Sequence, residues 1–536
     1  MPTDFAFKEG IQVEEIVGSG SRSRDDSQLA RLGKKPVLKR NFGFLTILGF
    51  SCTVLVTWEG SLIVFLAGLQ NGGPSGIIYG YILVWMGTLS VFITLSELAS
   101  MAPTSGGQYH WVSMLAPRSS RKFLGYITGW MIITGWQAMA ASAVYLTGTL
   151  IQSLILLTHP EYLPNMQNWH GTLLIWGVVL LCYAINTALG SLLAKFEGVV
   201  LIIHILGFFG VIFPLAFKSE RATSGEVFNT FMNLGGWHTQ GLSFCVGILG
   251  NVFAFMGGDG AIHMSEEIRN AAVVIPRSLL TGLMVNGTLG FAMLIATLYC
   301  MGDIEAAIHE NPHSPFMAIF RNAVQSRAAA AAMSAVLVFM AFSCSTGVVA
   351  SASRVYWAFA RDRGLPGWRF LKRISPRTSI PLNAVFTTAI FAVLLSLITI
   401  GDATAFNGVI SISIAGVFGS YLMSAALLLF RRITGAIRTP NPEDTLTNTL
   451  GSSLTWGPWH IRGVFGIMNN IFSCIYLTFI LFFSFWPASR EVTLQNMNWS
   501  VLVTGVVLLF SVVYYLIWAR HSYSGPVIET EGHPLA

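Results

Sequence analysis

From about residue 43 to residue 519 the chain is a succession of long apolar runs separated by shorter polar connections. A run of about 18 or more apolar residues is long enough to cross a hydrocarbon core about 30 Å thick. Only helices and closed barrels satisfy the backbone inside lipid. These runs are continuous rather than alternating with a period of two, so they read as helices and not as barrel strands. Twelve spans are expected, at 43–69, 76–100, 123–153, 171–191, 197–217, 241–264, 278–301, 328–352, 381–401, 405–430, 464–486 and 499–519. The flanks 1–41 and 521–536 are polar and read as disordered, cytoplasmic tails. No early apolar core marks a cleavable leader, so the first span is expected to act as its own signal anchor.

Composition supports this picture. Of the 536 residues 53% are hydrophobic and 10% charged, against about 25% charged in an ordinary soluble domain. The net charge of +6 is spread along the chain and does not suggest nucleic-acid binding. Its placement instead orients the spans. With the N-terminus cytoplasmic, 26 of the 31 Lys and Arg residues fall on the cytoplasmic side, as the positive-inside rule requires. Only Lys218, Arg221, Arg321, Arg327 and Arg490 fall on the other. The six cysteines all lie in apolar stretches without a metal-ligand spacing, and read as buried free thiols.

Two spans are poor helices. The first contains Thr57-Trp58-Glu59-Gly60, and a carboxylate inside a span costs at least about 2.5 kcal/mol on insertion scales. The sixth contains Phe255-Met256-Gly257-Gly258-Asp259-Gly260, with three glycines in four positions. Glycines in spans also serve close helix packing, but an intramembrane acid needs a further reason. Spans one and six are five apart, which matches two inverted five-helix repeats whose first helices break at mid-membrane. The first repeat would cover 42–220, the second 221–432, and two further spans 433–520.

Three segments carry a resemblance. Ser96-Glu97-Leu98-Ala99-Ser100-Met101-Ala102-Pro103-Thr104-Ser105-Gly106-Gly107-Gln108-Tyr109 follows span two. Glu266-Glu267-Ile268-Arg269-Asn270 with Ile275-Pro276-Arg277 follows span six, and Ser353-Arg354-Val355-Tyr356-Trp357-Ala358-Phe359-Ala360-Arg361-Asp362-Arg363-Gly364-Leu365-Pro366 closes span eight. Together, and in this order, they resemble the signatures of the amino acid–polyamine–organocation transporters over about residues 40–520. Trp58-Glu59-Gly60 leading to Gly72-Gly73-Pro74, with Asp259-Gly260-Ala261-Ile262-His263-Met264, is similar to the fungal choline, GABA and amino acid permeases. The resemblance implies an all-α, leucine-transporter-like fold of ten core helices in two inverted repeats plus two peripheral helices. It also implies alternating access by rocking of helices one, two, six and seven.

Candidate roles follow. The broken stretches nominate Thr57, Trp58, Glu59, Gly60, Phe255, Gly257, Gly258 and Asp259 for the substrate, with Ser343 and Ser345 of span eight as further cavity oxygens. Hydroxyls bonded to their own helix are the plainer reading of those serines. Glu59 either faces a cationic amine or carries a proton, and Trp58 beside it either stacks over a quaternary ammonium or simply packs. His204 lies midway along span five, where the resemblance implies a cationic residue in several members, and an imidazole with its ordinary pKa near about 6.5 suits a proton relay. Glu97, Glu266, Glu267, Arg269, Arg354 and Arg361 share the cytoplasmic end of the spans and form a candidate gate of ion pairs.

There is no phosphate-binding loop, metal cluster or nucleophile–base motif in the sequence. No cofactor, ATP or nucleic acid is therefore expected, and no enzyme. The expectation is a multi-pass plasma-membrane carrier that imports a small amine or amino acid such as choline or GABA, coupled to protons. An exchanger or exporter of an internal membrane, and a nutrient-sensing receptor on the same fold, remain open alternatives.

Overall fold

The computed structural model describes residues 24–218, 221–311, 313–401, 407–441, 444–494 and 496–529. Among these, eleven helices are long and apolar enough to cross a membrane. The twelfth expected span, the sixth, crosses as pieces: Gln240–Gly247, Leu249–Ala254 and, after an unwound stretch, Gly260–His263. Its apolar part is too short to cross alone.

Span one also breaks. Helix Phe44–Leu55 stops at Val56 and a second helix, Thr57–Ile63, begins there. Val56 sits at φ 43°, ψ 44°, a left-handed conformation that is a real outlier for a β-branched residue. The break frees backbone groups, and one of them is met across the bundle: Thr57 N–H donates to Asn286 Oδ1 of span seven at 3.2 Å. The helix Phe65–Met101 hides a third interruption at Gly73, φ +65°, which separates the end of span one (65–72) from span two (74–101). A Cβ at Gly73 would stand 2.7 Å from the backbone nitrogen of Met232 and 2.8 Å from Thr230 O, so only glycine fits this turn.

Around these breaks the long helices Arg121–Thr158 (span three) and Arg327–Arg361 (span eight) form a frame with Asn407–Ile433 (span ten). Gly135 and Gly416 let spans three and ten approach to backbone contact, where a Cβ on Gly135 would meet Val417 N at 2.6 Å. Spans five (Leu193–Lys218) and seven (Ala271–Tyr299) pack against span one, and spans four (Asn168–Thr187), nine (Leu382–Ser396) and eleven (Gly463–Ser484) pack on the outside of the frame. Span one is 78% buried over its apolar window and the last span, starting at Ser500, only 11%. The first is thus a core element, and the last lies against lipid.

The N-terminal flank is a correction to the reading of a free tail. Residues 1–23 lie outside the described residues, but 24–31 form a helix and Lys34 is buried. The C-terminal flank packs too: Tyr523 is buried, and Glu529 N–H donates to Gly33 O. A short helix, Gln108–Leu115, follows the first signature loop and is buried along its length. Its His110 lies against Asn448 O at 3.1 Å. Burial, with the nearby Lys34 charge, pushes the imidazole down to about 4 from 6.5. A base whose folded pKa is depressed contributes stability above its unfolded pKa, and that stability is lost as pH falls from 6.5 toward 4. The full difference is roughly 3 kcal/mol. The melting temperature of the purified protein should therefore fall across this window, and less steeply in His110→Gln than in the parent.

Candidate functional site

The two breaks meet at one level of the bundle. A Cβ on Gly60 would lie 3.5 Å from Ala254, and one on Gly257 would lie 3.0 Å from Val54. Gly257 itself adopts φ +94°. Gly258 faces Phe92, which a Cβ would meet at 2.6 Å. The glycines of span six thus supply both a backbone turn and room for span one. Gly257→Ala should cost about 1–3 kcal/mol through its positive φ. It should lower uptake more than it lowers the amount of folded protein, read by fluorescence-detected gel filtration.

Between the breaks lies a cavity of about 70 Å³ lined by Val54, Val56, Gly60, Met139, Ala254 and Met256, among others. Its wall is apolar except where the broken backbone reaches it. Ile63, Val64, Leu146 and Phe253 also line a vestibule of about 940 Å³, which adjoins the loop before the last span and the residues near His313. The vestibule opens on the face opposite the N-terminal segment.

The candidate substrate residues divide. Gly60 lines the cavity, while Thr57, Trp58, Glu59, Phe255, Gly257, Gly258 and Asp259 stand behind it. Phe255 packs on Tyr81 with ring centroids 4.9 Å apart. Ser343 donates to Phe339 O and Ser345 to Ala341 O, so both hydroxyls are held by their own helix. Glu59 does not face the cavity; it is fully buried against span five, with Oε1 2.8 Å from His204 Nδ1.

That contact has a specific chemistry. Trp58 Nε1, which can only donate, points at the same His204 Nδ1 at 3.2 Å. One nitrogen cannot accept from Trp58 and donate to Glu59 at once. With the hydrogen on Nδ1, that nitrogen donates to Glu59 and Trp58 has no acceptor there; with the hydrogen on Glu59, the single lone pair of Nδ1 is shared between Glu59 and Trp58. Glu59 Oε2 and His204 Nε2 have no other hydrogen-bond partner, so the pair is not pinned in either state.

A second acid–imidazole pair sits in span six. Asp259 Oδ2 accepts from Gln108 at 3.3 Å and lies 3.6 Å from His263 Nε2, with Tyr421 facing it from span ten. His263 Nδ1 reaches Ser105 O at 3.1 Å.

Toward the N-terminal face, buried ion pairs join the end of span six to span eight. Arg361 forks onto Glu266 at 2.8 and 2.9 Å, and Ser105 N–H adds a third bond to that carboxylate. Arg354 holds Glu267 at 2.9 Å. Two members of the proposed cluster fall elsewhere. Glu97 pairs with Arg432 of span ten at 2.5 Å and accepts from Ile461 N–H, and Arg269 is exposed, with only its backbone tied to Phe42. Two residues outside the predicted set join the closed face. Lys34 and Asp362, both 1% exposed, pair at 2.6 Å. Asp362 also accepts from Tyr109 and from Val527 N–H, so described residues of both flanks, Lys34 and Val527, meet on it. Burial opposes the charge of Glu266 and Asp362, but Arg361 on the first and Lys34 on the second outweigh it and hold both below the usual carboxylate range. Lys34 reads in sequence as one of a run of tail cations; only the fold reveals its partner.

A family model described as amino acid permease matches residues 42–507. The chain is 28% identical to the choline transporter of Saccharomyces cerevisiae over 481 residues, covering 89% of this chain and 81% of that one. It is 26% identical to amino-acid permease 2 of Neurospora crassa (97% and 92% covered). It is also 26% identical to amino-acid permease BAT1 of Arabidopsis thaliana (93% and 96%). With two broken spans meeting at a cavity and the family match running through nearly every span, the chain belongs to the amino acid permease family of the amino acid–polyamine–organocation superfamily, a family of membrane carriers and not of enzymes.

Proposed function

We propose that this permease is a proton-coupled symporter that imports a small amine or amino acid across the plasma membrane, with both termini cytoplasmic. The observation that carries this is the buried Glu59–His204 pair, which bridges the broken first span to span five directly behind the cavity. A group that gains or loses a proton there changes the contacts of the helix that must move. On this reading, with the termini cytoplasmic, the vestibule on one side and the ion pairs on the other correspond to an outward-facing state of an alternating-access cycle. Spans one to five and six to ten act as the two inverted repeats.

The choline transporter and amino-acid permease 2 among the relatives put choline and amino acids first among substrates to try. An apolar wall with polar backbone at two breaks suits a compact substrate with a charged or amide end and a short hydrocarbon body. The test is uptake of labelled choline, GABA and arginine, in cells lacking their own carriers, at about pH 5 and about pH 7.5, either side of the imidazole range. Entry of one substrate that is faster at acid pH and abolished by a protonophore is the expected result. Failure of all three with the protein at the cell surface would overturn the reading.

A further inference from the structure

We propose that Glu197 is a second proton-binding site, holding its proton while the N-terminal face is closed and releasing it when the first half of span one tilts away. This deepens the symport reading and rests on it for the role in transport, but the state of the carboxyl can be measured without any substrate.

Glu197 lies one turn into span five, on the side that packs against helix Phe44–Leu55. The approach is close: a Cβ on Gly49 would stand 2.5 Å from the Glu197 carbonyl oxygen. The side chain is fully buried, and neither carboxyl oxygen has a hydrogen-bond partner. Across from it, a Cβ on Gly347 of span eight would come 3.7 Å from Oε1. An ionised carboxylate left in such a place is among the costliest arrangements a protein can hold.

The neighbours offer no counter-charge. From span one Thr53 faces this side, and from span eight Cys344. Span seven brings Arg277 and Tyr299 only at its two ends, and the helix Pro315–Val324 brings Arg321, which is paired with Glu310. Lys195 on the same helix is exposed, and His204, two turns on, is engaged with Glu59. Among the described residues none forms an ion pair with Glu197.

Thr53 is the polar side chain nearest the carboxyl, but its hydroxyl is bonded to Gly49 O at 2.8 Å and so is engaged elsewhere. A carboxylate, acceptor-only, finds nothing there; a protonated carboxyl can donate. Among the described residues no group of three or more His, Cys, Asp or Glu side chains gathers here to hold a metal ion.

Release follows from the hinge. The half-helix covering Glu197 ends at the left-handed Val56, so it can tilt as a unit, and doing so uncovers the carboxyl toward the N-terminal face. Glu59 and His204 stay on the far side of that hinge. Two acids in series, one on each side of Val56, would pass a proton inward without a continuous water path.

Infrared difference spectroscopy on purified protein in lipid nanodiscs at neutral pH, in potassium salts, tests this. The carbonyl stretch of a protonated acid, shifted by deuterium exchange, should be present in the parent and retained in Glu59→Gln. It should be lost in Glu197→Gln and moved, not lost, in Glu197→Asp, which also guards against a misfolded Gln variant. In Arg361→Ala, which opens the N-terminal face, the Glu197 band should fade as pH is raised, while in the parent it persists. A spectrum unchanged by Glu197→Gln, or a band abolished by exchanging potassium for sodium, would overturn the proposal. A protein that shows the band but moves no protons with choline, GABA or arginine would instead defeat the symport reading alone.

Discussion

Glu59→Gln should cut uptake at acid pH by roughly 10- to 100-fold, the factor that a charge-assisted hydrogen bond of about 1.5–3 kcal/mol represents, and should flatten what uptake remains against pH. The amide keeps the shape of the side chain but cannot exchange a proton with His204 Nδ1 at 2.8 Å. It can present either its oxygen or its NH2 to the imidazole, so folding should survive, and surface expression should stay near that of the parent. Trp58→Phe removes only the competing donor to Nδ1; it should shift the pH at which uptake is half-maximal while leaving the protein coupled. Unchanged affinity and unchanged pH dependence in Glu59→Gln would remove the pair from the mechanism.

Arg361→Ala should open the N-terminal face. Removing one member of a buried pair leaves the other unpaired and costs about 3–5 kcal/mol, here leaving Glu266 with the Ser105 N–H and the nearby Lys34 charge. The stacking of the guanidinium 4.4 Å over Trp357 goes with it. The closed face is the state that loses these contacts, so the equilibrium moves toward the opposite opening. A thiol placed at the buried Ser105 (Ser105→Cys) should react at least about tenfold faster with an impermeant reagent on the N-terminal side when Arg361→Ala is added, since about 1.4 kcal/mol already gives a factor of ten. Arg361→Lys, which keeps charge but not the two-pronged geometry, should fall between. Equal rates in both backgrounds would show that the ion pairs do not hold this face.

The acid response and the gate can be separated by sign. Glu266 and Asp362 are held below the usual carboxylate range, so their contribution to the closed face is fully present above that range and is lost only as pH falls beneath it. Mild acidification therefore leaves these pairs intact. Any stimulation of uptake between neutral and mildly acid pH must arise elsewhere, and the imidazole–carboxyl pair behind the cavity is placed to supply it.

Hydropathy made the spans legible because lipid leaves the backbone few choices, and the glycine run at 257–260 made the second break legible because it is a poor helix on any account. The first break was legible through Glu59 and Gly60, yet the hinge itself is Val56, a residue type that no propensity argument would nominate for a left-handed conformation. Glu59 and His204 each stand out as polar groups in apolar runs, but their contact joins residues 145 apart, and nothing in the sequence pairs them. Glu97 shows the reverse case: its place beside a signature loop suggested the gate, while the bundle sets it against Arg432, whose position reads only as one more inside cation. Glu197 falls at the edge of its apolar run, next to Lys195, and so passes for an interfacial charge until helix Phe44–Leu55 is seen to cover it. Lys34 and Asp362 are hidden for a similar cause: the first lies in a polar flank and the second in a loop-end run of charges, and only the fold sets them 2.6 Å apart.

The most direct test of the account is proton movement itself. Purified protein in liposomes with a trapped pH-sensitive dye, clamped in membrane potential, should show lumenal acidification on outside addition of whichever of choline, GABA or arginine the cells take up. The signal should vanish in Glu59→Gln. Entry of the labelled substrate with no change of lumenal pH would contradict the account.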